Sequence, residues 1–266
     1  MGHRRAGLVG AAAAALLAAG VAGCGADVEP QGQTVDGATS TLGPAPADTE
    51  PTDGGTATTA TPATKAAAKL REPLAFHVRR RAMLRLQPGG RMVARIATRT
   101  EFKSPTILAV AARKPGWVLV RTSIEHHHVG WLPLSSGALF SEPRSIVIDL
   151  SRNSLTVFHR GRMTDVYKVA IGTTATPTPT GKFAVTDRLR TGNPASDYGC
   201  CILALTAHQP KILQGWGGGD RVAIHATPHT WTLGHAVSHG CVRASNPALK
   251  QLMRRVRLGT PVTIHA

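Results

Sequence analysis

The chain has 266 residues, 42% of them hydrophobic, and a formal net charge of +16, enough length for one or two folded domains but with charge spread unevenly. Residues 25–64 hold six acidic residues and no Lys or Arg, whereas from Lys65 onward basic residues outnumber acidic ones 29 to 9, so the foldable part is a polycation drawn to polyanions. Four cysteines (Cys24, Cys200, Cys201 and Cys241) are too few and too unevenly placed for the disulfide framework of a small secreted domain.

Residues 1–23 read as a signal peptide. Arg4 and Arg5 supply the positive start, an Ala/Leu/Val run follows, and small residues lead to Cys24. The run is too short and Ala-rich to favour a permanent span. Val21-Ala22-Gly23-Cys24 resembles a bacterial lipobox, which makes Cys24 the expected lipidated first residue of the mature chain. Export places the protein at the outer face of the cytoplasmic membrane, in the cell envelope. Its polyanionic surroundings are then wall polymers and lipid headgroups, and no nucleic acid is expected as a partner.

Residues 24–71 are rich in Thr, Ala, Pro, Gly and Asp and nearly devoid of large apolar residues. Such a segment buries too little surface to offset chain entropy, so a disordered tether is expected. At about 5–6 Å × √n, some 45 residues reach roughly 35–40 Å.

From residue 72 the pattern changes. Short apolar runs at residues 91–96, 106–112, 117–121 and 129–134 are separated by Pro88-Gly89-Gly90 and Lys114-Pro115-Gly116, which predicts a small all-β unit over residues 72–142. The run Trp117-Val118-Leu119-Val120-Arg121 with Val129-Gly130-Trp131-Leu132 resembles the closing hairpin of a bacterial SH3-like barrel. Glu125-His126-His127-His128 between them reads as a hairpin tip rather than a metal site. Residues 143–266 form the second predicted unit. Strands are expected at residues 146–150, 154–159, 163–170, 182–190, 202–208, 222–225 and 261–265. One helix follows Asn246 as N-cap and Pro247 as first helical residue, with Leu249, Leu252, Met253 and Val256 on its apolar face and Gly259 closing it. The predicted fold class is therefore mainly β, an SH3-like barrel followed by a β-rich unit with one main helix.

The chemistry concentrates between His225 and Asn246. A cysteine needs a base or a cation nearby to become a useful nucleophile near neutral pH, and two histidines flank Cys241: His225 on a predicted strand and His239 two residues upstream. Gly240 permits a tight turn between His239 and Cys241, and such a turn can aim backbone amides at a reacting carbonyl oxygen.

His225, then Ser238-His239-Gly240-Cys241, Val242-Arg243 and Asn246 closely resemble the active-site signature of the L,D-transpeptidase (YkuD-type) family. Ile171-Gly172 with Thr178-Pro179-Thr180-Gly181-Lys182-Phe183 resembles a second segment of that family. Tyr198-Gly199, Leu203-Ala204-Leu205 and Ala207-His208 resemble a third. The likeness covers residues 144–266. It implies Cys241 as nucleophile, His225 as proton-transfer partner and His239 as a second histidine shaping the site. It further implies Ser238, Gly240, Arg243 and Tyr198 around the substrate, with Arg243 meeting a carboxylate through its planar fork. The residues alone do not rank the two histidines.

The implied reaction is peptidoglycan cross-linking between stem peptides through a cysteine thioester, with no metal and no cofactor. Carbapenem β-lactams are the implied inhibitors. An L,D-carboxypeptidase or a non-catalytic wall-binding lipoprotein is the alternative. Cys200-Cys201 reads as two small buried residues, since adjacent cysteines rarely bridge, with a redox brake as the second reading.

Overall fold

The computed structural model describes residues 72–212 and 220–266. The expectations for residues 1–23, for Cys24 and for the tether lie outside the described residues. Among these the protein is mainly β, with one α-helix, as the patterning predicts.

The first sheet is built from β1 (Leu74–Val78), β2 (Ala82–Arg85), β3 (Met92–Ile96), β4 (Ile107–Lys114), β5 (Trp117–Arg121), β6 (Val129–Pro133) and β7 (Gly137–Ser141), in the spatial order β3-β2-β6-β5-β4-β1-β7. Its pairings are antiparallel, and inward-facing alternate residues such as Phe76, Leu84, Val118, Val120 and Leu132 make one closed apolar cluster. Glu125 to His128 lie in the loop joining β5 to β6. Strands β1, β2 and β7 are not foreseen by the runs above, because Arg79–Arg81 and the polar stretch around Ser135 interrupt the apolar pattern.

The second sheet comprises β8 (Arg144–Asp149), β9 (Ser154–His159), β10 (Arg162–Lys168), β12 (Gly181–Arg190), β13 (Cys201–His208), β14 (Arg221–Thr227), β16 (Val242–Ser245) and β17 (Pro261–His265), in the order β10-β9-β8-β17-β12-β13-β14-β16. A separate two-stranded ladder joins β11 (Ile171–Gly172) to β15 (Ala236–Ser238). The β9–β10 hairpin closes through Arg160 (φ 52°) and Gly161 (φ 75°), two consecutive positive-φ residues as a type I′ turn demands.

Helix α1 (Asn246–Arg255) packs Leu249, Leu252 and Met253 onto the face of the sheet that carries Val222, Ile224, Ala226, Val242 and Ala244. Burying each such side chain contributes on the order of 1.5–3 kcal/mol. Two details differ from expectation. The N-cap is Ser245, whose hydroxyl accepts from the Ala248 amide, while Asn246 is the first helical residue and its side chain bonds elsewhere. The helix stops at Arg255 with Val256 as C-cap, so Gly259 lies beyond the cap, donating to the carbonyl of Val185.

Candidate active site

The fold brings the predicted residues together at one edge of the second sheet. Strands β14 and β16 pair in parallel, setting His225 beside Arg243 and Ile224 beside Val242. Residues 222, 224, 226, 242 and 244 enter the core under α1. Side-chain alternation therefore puts His225 and Arg243 on the opposite face, and Cys241, just ahead of β16, lies close enough to Arg243 for that charge to act on its thiol.

The turn that carries Cys241 is built by its own sequence. Gly240 adopts φ 114°, a conformation that favours glycine, and a Cβ there would sit 2.3 Å from Nε2 of Gln209. The buried Ser238 hydroxyl accepts from the Gly240 amide at 3.1 Å and donates to the carbonyl of Cys241. From outside, Thr173 and Thr176 both donate to the carbonyl of Ser238. The Thr178 hydroxyl accepts from the Gly172 amide. The 171–178 segment is thus a brace for the turn. Ser238 and Gly240 are both buried within it, as its framework.

His225 is 3% exposed, and its Nδ1 lies 2.7 Å from the carbonyl of Ala226. A carbonyl only accepts, so Nδ1 carries the proton and Nε2 keeps its lone pair. Burial pulls this imidazole down from 6.5 to about 4; the Ala226 bond opposes the fall and the Arg243 charge adds to it. Cys241 keeps part of its surface open, yet its sulfur is crowded, and that burial pushes the thiol above its ordinary value. The Ala223 amide and Arg243 pull it back in part. Both shifts favour the uncharged forms, a thiol on Cys241 and a neutral imidazole on His225.

Tyr198 lies over His225 with ring centroids 4.8 Å apart, and burial and then the proximity of Cys241 raise its phenol. Arg243 is fixed through its backbone, which exchanges two 2.8 Å hydrogen bonds with Ala170, and its buried Nε has no partner among the described residues. The side chain of His239 is exposed. Its backbone carbonyl, rather than its ring, is what the structure ties down.

Three features escape sequence reasoning. Gln209, buried, donates from Nε2 to the carbonyls of Pro177 and His239, both at 3.0 Å. Trp231 is 73% exposed and packs edge-on against His229, with centroids 4.8 Å apart. Cys200 and Cys201 are buried as expected but bonded to each other, and the Cys200 amide donates to Oδ1 of Asn246 at 2.7 Å. That bond explains why Asn246 leaves the capping role to Ser245. The described residues contain no cluster of three or more His, Cys, Asp or Glu suited to a metal.

Residues 143–264 match the YkuD family, the L,D-transpeptidase catalytic domain. The Bacillus subtilis protein YkuD, an L,D-transpeptidase by name, is 32% identical over 126 residues, which is 47% of this chain and 68% of that protein. The chain belongs to the L,D-transpeptidase family. Two solved structures of L,D-transpeptidases are also similar. That of L,D-transpeptidase 3 from Mycobacterium tuberculosis is 20% identical with a TM-score of 0.41, over 52% of this chain and 74% of that one. That of LdtMt1 in complex with imipenem is 22% identical with a TM-score of 0.39, over 52% and 73%. The family match begins at residue 143, so the first sheet lies outside it.

Proposed function

We propose that this L,D-transpeptidase cross-links peptidoglycan stem peptides through a thioester on Cys241. The observation that carries the reading is the His225 tautomer: Nδ1 is committed to Ala226, and Nε2 is left free on the face of the sheet that also carries Arg243, whose charge reaches Cys241.

The thiol proton passes to Nε2 of His225 as sulfur attacks the carbonyl carbon of the L,D peptide bond in a donor tetrapeptide. The amide of Gly240 is already used by Ser238, which leaves the Cys241 amide as the donor for the developing oxyanion. The C–N bond breaks and D-Ala departs with the proton held by His225. An amine of a second stem then attacks the thioester, gives its proton to His225, and leaves the new amide with the cysteine restored. The buried, unpartnered Nε of Arg243 calls for an acceptor, which a stem carboxylate supplies. Tyr198 forms a wall over the imidazole, and His239 lies at the open side of the site.

In this reading carbapenems acylate the same sulfur, and the protein works at the outer face of the membrane, held by a lipid on Cys24. Two experiments test these points. Intact-mass measurement of the full-length protein after carbapenem exposure should show an adduct on Cys241, and an unchanged mass would favour a wall-binding lipoprotein. Cys24→Ala should release the protein from membranes; continued retention would refute the anchor. Water as acceptor would make the enzyme an L,D-carboxypeptidase, and purified muropeptides distinguish dimers from trimmed monomers.

A further inference from the structure

Between Arg79 and Arg99 the chain carries seven arginines (Arg79, Arg80, Arg81, Arg85, Arg91, Arg95 and Arg99), with no lysine, aspartate or glutamate. None of the seven pairs with a carboxylate among the described residues. Folding gathers part of this charge around one shallow, open cleft. A cleft of about 390 Å³ on the first sheet is lined by Arg80, Arg81, Arg85 and Ser135, with Pro133 and Met83 among its apolar walls. It shares no residue with the Cys241 site.

Two of its guanidinium groups are pinned. Arg80 donates to the carbonyl of Ser135, and Nη1 of Arg85 donates to that of Gly90 at 2.6 Å. Each of these bonds uses one of five N–H donors, so both groups are oriented while most of their donors stay free. The Arg81 side chain and the Ser135 hydroxyl have no hydrogen-bond partner among the described residues. Solubility alone is served as well by lysine. A cluster whose only charged residues are arginines, lining a cleft free of carboxylate, matches an oxyanion that takes planar forks. A carboxylate presents two oxygens in one plane, which one bidentate arginine can engage together. A phosphodiester is tetrahedral and accepts from several directions, which suits a cleft lined by several arginines.

We propose that the Arg80–Arg81–Arg85 cleft binds a linear phosphodiester polymer, with one phosphate seated among the three guanidinium groups. The site is independent of the cysteine chemistry and gives the first sheet a role in holding the enzyme against an anionic polymer.

The test is titration of the full-length protein with poly(glycerol phosphate) over a range of salt concentrations. Polyglutamate and vesicles of phosphatidylglycerol in phosphatidylcholine serve as parallel probes. A variant with Arg80→Gln, Arg81→Gln and Arg85→Gln should bind the phosphate polymer at least about tenfold more weakly. The slope of log affinity against log salt should fall by roughly one, as expected when one phosphate is no longer neutralised. A charge-matched variant at the exposed Arg113, Arg162 and Arg254 should stay within about twofold of the parent, and both should transfer acyl groups between small soluble muropeptides at the parent rate. Equal loss in the two variants, equally tight binding of polyglutamate, tighter binding of the vesicles, or no binding of poly(glycerol phosphate) would each overturn the proposal.

Discussion

The side-chain amide of Gln209 donates to the backbone carbonyl of His239 at 3.0 Å, one residue before Gly240 and two before the nucleophile. The same nitrogen donates to Pro177 on the brace, and Gln209 Oε1 accepts from the Lys211 amide, so the group is fully occupied. The neighbouring His208 bridges Asp220 and the carbonyl of Ser123 in the loop between β5 and β6, at 2.8 Å each. A chain of hydrogen bonds therefore runs from the first sheet to the Cys241 turn.

Removing that amide should loosen the turn without touching substrate. Gln209→Ala strands two carbonyls at a cost of about 1–3 kcal/mol. Its kcat should fall about tenfold or more with KM little changed, because the thiol is misplaced rather than substrate binding lost. Steady-state kinetics on a muropeptide donor provide the check, and an unaltered kcat would show that Gln209 does not position the turn.

The thiol's titration carries its own expectation. With Cys241 raised by burial, alkylation by iodoacetamide should be slow at pH 7 and climb about tenfold per pH unit until the thiol ionises. Arg243 favours the thiolate, so Arg243→Gln should move that rise to still higher pH. A shift to lower pH would mean that Arg243 does not act on the sulfur.

His225 links the same electrostatics to stability. Its folded value, about 4, lies below the ordinary 6.5, so the unfolded chain binds the proton more readily. The stabilisation is full above pH 6.5 and is lost as pH falls toward 4, with an upper size of about 3 kcal/mol. Urea unfolding at pH 7 and pH 4.5 should therefore differ more for the parent than for His225→Gln. The acid limb of kcat/KM should likewise lie near 4. A limb near 6.5 would contradict a buried, neutral base.

The bonded Cys200–Cys201 pair leaves Cys241 as the free thiol among the described residues. Peptide mapping after alkylation should find Cys241 modified without reductant, and Cys200 and Cys201 modified after reduction and unfolding. Labelling of all three in the unreduced protein would show that the pair is open.

Much of the site is legible in the sequence because its chemistry is local. Ser238, His239, Gly240 and Cys241 build one turn, and the glycine the turn needs stands at the required position. His225 and Arg243 become neighbours once two strands pair in parallel, which the apolar residues between them permit. Gln209 is not legible: its partners lie 32 and 30 residues away, and a Gln-Pro pair after a strand reads as an ordinary loop. The helix start misleads for a similar reason. Ser245 and Asn246 are both good caps, and only the distant Cys200 amide decides between them. The tie between the two sheets is equally hidden, since Thr100 with Asp187, Glu101 with Arg221 and Ser123 with His208 are contacts made by folding alone.

The central claim is that Cys241 carries the acyl group. Its most direct test is rapid quenching of the full-length enzyme with a disaccharide-tetrapeptide donor, followed by peptide mapping of the trapped species. The account predicts a thioester on the peptide containing Cys241, one D-Ala released per adduct, and neither product from Cys241→Ala. Release of D-Ala by Cys241→Ala, or an adduct on any other residue, would contradict it.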